Sequence, residues 1–131
     1  MKKDIEIPVV KDVYVAIAHE WNKEFLSKDW NAYIINGGRI PIEMALIVSK
    51  GFYGERKTSL MRHAIAVVPA NSFEKIEVVQ EDVLALNNEF FVTYYIGNTL
   101  YEKRFLFEKG SVSEAALIPI PVLGQDGVMA K

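Results

Sequence analysis

The residues with most chemistry to offer lie in one run, SKGFYGERKTSLMRHAIAV (residues 49–67), where Lys50, Arg56, Lys57 and Arg62 stand against Glu55 alone. Phe52 and Tyr53, bracketed by Gly51 and Gly54, place two aromatic rings among those cations. Rings that stack on bases, beside cations that meet phosphate, are the means of a nucleic-acid or nucleotide contact. The same composition suits a solvated hairpin loop feeding a strand, and four cations are a small footprint on a chain of net charge −2. His63 follows on the apolar face of that strand with Met61, Ile65 and Val67. It reads as a packed residue, and imidazole's general aptitude for proton chemistry keeps a functional role open. The candidate binding residues are therefore Lys50, Phe52, Tyr53, Arg56, Lys57, Arg62 and His63.

No catalytic constellation assembles around them. Ser59 and His63 share a strand face but stand four residues apart, roughly 13 Å by strand rise, too far for a hydrogen bond. No serine sits in a G-x-S-x-G elbow. His19-Glu20 and His63 lack the His-X-His or four-residue His spacing of a metal site, and cysteine is absent, which removes thiolate ligands, thiolate nucleophiles and disulfides. No metal and no cofactor are expected. Paired carboxylates for glycoside chemistry depend on tertiary separation, which spacing does not give.

An acidic segment faces the cationic one: Glu74, Glu77, Glu81, Asp82 and Glu89 stand against Lys75. Pairing across the sheet would hold Arg62 on a carboxylate near Glu74 or Glu77. Placement at opposite ends would make the molecule dipolar and favour head-to-tail self-association.

The elements that must position these residues are mostly strands. Val13, Val15 and Ile17 alternate, as do Tyr33 and Ile35, and Ile42, Met44, Leu46 and Val48 alternate against Glu43, Ala45, Ile47 and Ser49. FEKIEVV (73–79) is a further alternating run. Asn36-Gly37-Gly38-Arg39 and Ile96-Gly97-Asn98-Thr99 read as hairpin turns. Folding about Gly97-Asn98 pairs Phe90 with Phe105, Val92 with Lys103 and Tyr94 with Tyr101 on a core face. Trp21, Phe25 and Leu26 fit one side of a short helix, or a loop that packs Trp21 and Trp30. Residues 81–88 fit a helical turn or a short strand. Ser111 and Glu114 have capping-box spacing, after which Pro119 and Pro121 impose an extended C-terminal tail over 111–131.

The pattern predicts one mainly β domain over residues 1–131: an antiparallel β-sandwich of immunoglobulin-like type, with seven to eight strands and at most short helical segments. An open β-barrel is the alternative. At 131 residues, half of them apolar, the chain can build one core without staples. The slight net acidity gives no general pull towards nucleic acid or an anionic membrane. Asp4 and Glu6 interrupt any signal-peptide core, and no apolar run reaches membrane-helix length, so a cytoplasmic protein is expected.

Three stretches, WNAYIIN (30–36), IVSKGFYGERKTSLMRH (47–63) and LNNEFFVTYY (86–95), resemble a family of small uncharacterised bacterial proteins, some labelled as a phenylalanyl-tRNA synthetase subunit. The likeness covers most of the chain. That label would imply an accessory role near translation. Gly51, Gly54, Glu55 and Arg56 echo the glycine-rich strand and acid-arginine pair of a class II synthetase motif, without its full glycine spacing. The motif's arginine opens a helix, whereas KTSLMRHAIAVV reads as strand, so no catalytic residue carries over.

The functional expectation is a non-enzymatic β-sandwich that binds a protein partner, or a second copy of itself, through a sheet edge or the loop at 50–58. A nucleic-acid or nucleotide contact near translation is the alternative, and a small-ligand enzyme is third.

Overall fold

The computed structural model describes residues 9–131. These described residues form ten strands: β1 (Val13–Asn22), β2 (Ser27–Asn36), β3 (Ile42–Tyr53), β4 (Arg56–Lys57), β5 (Met61–Val68), β6 (Ser72–Val79), β7 (Asn87–Ile96), β8 (Thr99–Phe107), β9 (Ile118–Ile120) and β10 (Gln125–Met129). They form two antiparallel five-stranded sheets. The first has the order β6-β2-β1-β10-β9; in the second β4 and β5 both pair with β3, which is followed by β7 and β8. Seven strands make an immunoglobulin-like sandwich, with β1, β2 and β6 facing β3, β5, β7 and β8. The short strands β4, β9 and β10 raise the count above seven or eight. The two sheets stay separate and do not close into a barrel.

Alternation explains the core. Val13, Val15 and Ile17 of β1, with Ala32 and Ile34 of β2, meet Ile47, Phe90, Val92, Phe105 and Phe107 of the second sheet. Each side chain of this size gains about 1.5–3 kcal/mol from burial. The β7–β8 hairpin has the register read from sequence: Phe90 opposite Phe105, Val92 opposite Lys103, Tyr94 opposite Tyr101. Gly97 turns it with φ of 60° while Asn98 keeps a negative φ, as a type II′ turn requires. Lys103, on the core side, extends its ammonium to 4.9 Å from the centre of the Phe105 ring.

Four local expectations change in three dimensions. The stretch around Trp21 is a β-hairpin: β1 continues to Asn22, opposite Ser27, leaving Trp21, Phe25 and Leu26 exposed while Trp30 is buried. Cross-strand bonding outweighs a weak helical period here. Asn36-Gly37-Gly38-Arg39 carries the chain from the first sheet to the second and makes no hairpin. Neither glycine has a positive φ, and the Gly37 N–H donates to the Asp12 carbonyl at 2.6 Å, tying the crossover to the start of β1. Buried Asn36 holds the crossover, its Nδ2 donating to the Ile40 and Val68 carbonyls at 2.9 and 3.1 Å.

In β3 the buried set is Ile42, Ala45, Ile47 and Ser49, so the apolar series Met44, Leu46, Val48 is not the core face. Met44 adopts φ of 51° at a register shift against β7, and one extra residue moves everything after it to the opposite face. Residues 81–85 form a 3₁₀ turn. The extended C-terminal stretch is built into the first sheet: β10 pairs with β1 and β9 with β10. Ile120 of β9 and Leu123 of the β9–β10 turn cover Ala16, Ala18 and Ile35 on that sheet's outer face. No helix among the described residues is long and apolar enough to cross a membrane.

Candidate functional site

Strand β3 serves two surfaces at once. Beyond Met44 its even residues Leu46, Val48, Lys50 and Phe52 face outward, while Ala45, Ile47, Ser49 and Gly51 are buried between the sheets. The β3–β4 hairpin tip, turned by Gly54 at φ of 61°, places Lys57 opposite Phe52 and Arg56 opposite Tyr53.

On the outer face, register builds rows. Arg62, Val48, Phe91 and Arg104 stand side by side, and the next row is Ala64, Leu46, Thr93 and Glu102. Lys50 lies opposite Glu89 with its Nζ 4.0 Å from that carboxylate and 5.6 Å from the Phe52 ring centre. Arg104 hydrogen-bonds the same Glu89 from the other side. Glu43 is in register with Tyr95, and Tyr95 with Leu100. Among the described residues, Lys50, Lys57, Arg62 and Arg104 against Glu43, Glu89 and Glu102 leave this face one positive charge in excess.

The sequence candidates therefore separate. Lys50, Phe52, Lys57 and Arg62 belong to the outer face; Tyr53 and Arg56 sit at the hairpin tip, with Lys109 4.3 Å above the Tyr53 ring. His63 turns inward. Its Nε2 lies 2.7 Å from Glu77 Oε1, and the Ser49 hydroxyl donates to the same oxygen at 2.7 Å. The acidic segment thus reaches β5 through His63, and Arg62 is exposed. Sequence reasoning missed Ser49, because a serine in an apolar run has no local mark. It also missed Phe91 and Arg104, which become neighbours of Arg62 only through strand order.

The Ser49–Glu77–His63 cluster is not a nucleophilic triad. Serine and imidazole both engage the carboxylate, and no base contacts Ser49 Oγ except that carboxylate. Nor do His19 and Glu20 form a metal pair, since adjacent strand residues point apart. His19 stacks on Trp30, ring centres 4.0 Å apart, while Glu20 Oε1 accepts from Asn31 Nδ2 at 2.7 Å and the Tyr33 hydroxyl at 2.5 Å. Burial would raise the Glu20 pKa, but hydrogen bonds from Tyr33, Asn31 and Gln125, with Lys75 nearby, hold it below the ordinary carboxylate range. Burial first, and then Glu20, push the Tyr33 hydroxyl upward. Among the described residues no three His, Cys, Asp or Glu converge on a metal position.

The chain matches no protein-family model, no curated protein and no solved structure.

Proposed function

We propose that this domain is a non-catalytic binding module that docks a protein partner on the outer face of its second sheet. The observation that carries the reading is the exposure of Met44, Leu46, Tyr95 and Leu100, at 65%, 52%, 37% and 46%. A single exposed leucine is ordinary; a continuous group on a flat face is characteristic of an interaction surface. Val48 and Phe91, half-buried beside Leu46 and Thr93, make the group continuous. Arg62, Arg104, Lys50, Glu89 and Glu102 surround it with both signs of charge, the composition of a protein interface with an apolar centre and a polar rim.

A photoreactive residue in place of Leu46 tests this. The expected product is an adduct to protein, and a homodimer adduct in purified material would identify a second copy as the partner. The same residue in place of Asp126, exposed on β10 of the first sheet, should give none. Equal labelling from both positions, or adducts to nucleic acid alone, would overturn the proposal.

The second reading is a nucleic-acid or nucleotide contact through the cationic run. Phe52 and Phe91 beside Lys50, Lys57 and Arg62 favour it. A balance of one positive charge argues against it, since phosphate binding draws on a concentrated basic surface. Its signature is oligonucleotide binding that weakens steeply with salt and is lost in the double variant Lys57→Ala, Arg62→Ala.

A further inference from the structure

The inward face of β3 opens on a cleft of about 230 Å³ between the sheets, lined by Ser49, Met61, Glu77, Val79, Val83 and Asn88 among others. It lies where β5 and β6, the free edges of the two sheets, part beyond their connection at residues 69–71. Glu77 reaches it because β6 carries a bulge: the register against β2 shifts between Ala32 and Tyr33, so Ile76 and Glu77 together oppose that step. A bulge re-aims a side chain that strict alternation would send elsewhere. Ile76 is buried in the core, and Glu77 turns into the gap towards Ser49 and His63.

Both hydrogen bonds to Glu77 end on Oε1. Oε2 receives none from the described residues, and no lysine or arginine among them pairs with this carboxylate, whose side chain is only 12% exposed. The nearest lysine in the lining, Lys50, directs its ammonium to the opposite sheet face beside Glu89 and Phe52. A carboxylate on a mostly buried side chain, with one oxygen left to the open cleft and without a donor among the described residues, suits a charge-assisted donor. Val79, Val83 and Met61 supply aliphatic walls around it. The volume lies below the roughly 300–1,000 Å³ of pockets that take drug-sized ligands and fits a chain of a few carbons.

We propose that this cleft is a binding site for a small alkylammonium ligand, its cationic head on Glu77 and its aliphatic body against Val79, Val83 and Met61. Ser49 and His63 act as positioning residues: by holding Oε1 they fix the carboxylate so that Oε2 faces the cleft. The site is independent of the protein-docking face, because the two lie on opposite sides of β3.

The test is titration of the full chain with n-butylammonium chloride, followed by amide chemical shifts, with n-butyrate and n-butanol as controls. Saturable shifts confined to residues around 49–51, 77–80 and 83 are expected for the amine and not for the acid. Glu77→Gln keeps acceptors for Ser49 and His63 but removes the charge, and should weaken binding about tenfold or more, as losing a charged hydrogen bond implies. Should that variant fold poorly, Met61→Trp, at an exposed position on the rim, should weaken binding by obstructing entry while leaving the carboxylate in place. Absence of saturable shifts in the wild type, equal binding of butyrate, or undiminished binding in a folded Glu77→Gln would each overturn the proposal.

Discussion

The Ser49 hydroxyl donates to Glu77 Oε1 across 2.7 Å, joining β3 of one sheet to β6 of the other where the sandwich is open. Ser49 is buried and Glu77 nearly so, which makes the bond a tie between sheets as well as the edge of a cleft.

Removing the carboxylate should therefore cost stability. Glu77→Ala strands Ser49 and His63 and is expected to destabilise by about 1–3 kcal/mol. Arg62→Ala, at an exposed outer-face position, should change stability by no more than about 0.5 kcal/mol. Urea denaturation of both variants checks the order. A larger loss from Arg62 would show that the carboxylate of the acidic segment holds arginine after all.

Phe105 is buried opposite Phe90, and Glu102 faces solvent on the same strand. Phe105→Ala should cost about 3–5 kcal/mol, and Glu102→Ala under about 1 kcal/mol. Similar values for the two would mean that the hairpin buries its other face.

Met44 is strained in a way that suggests an improvement. A non-glycine residue at φ of 51°, largely exposed, has little packing to lose. Left-handed backbone costs an ordinary residue roughly 1–2 kcal/mol, so Met44→Gly should be neutral or stabilising despite the usual penalty for glycine in a strand. Thermal melting decides it, and a loss of more than about 1 kcal/mol would indicate that the methionine side chain anchors the bulge.

The Glu20 network makes a pH prediction. Its folded pKa is depressed, so the stability it contributes is fully present above its unfolded value of about 4.3 and is lost as pH falls through the lower folded value. Tyr33→Phe removes the hydrogen bond made at 2.5 Å and should flatten the decline in stability as pH falls below the unfolded value. An unchanged acid limb in Tyr33→Phe and in Glu20→Gln would show that other carboxylates dominate acid unfolding.

The sequence by itself determined the β class, the buried series Val13, Val15, Ile17, and the β7–β8 hairpin with its register. These rest on period-two alternation and on a glycine whose φ the turn demands, both of which are local. Tertiary structure decided what local pattern leaves degenerate. Gly37-Gly38 reads the same whether the next strand returns to its own sheet or crosses to the other, because the choice depends on which partner strand completes each core face. Met44 reads as a core residue until its left-handed backbone reverses the phase of β3 and sends Leu46 and Val48 outward. Of the cationic run, four members share the outer face, two occupy a hairpin tip, and His63 turns into the cleft. Strand alternation alone explains why His63 and Arg62 part. That Glu77 is the carboxylate His63 meets follows from a bulge in β6 and from the gap between two sheets, distances that no spacing along the chain encodes.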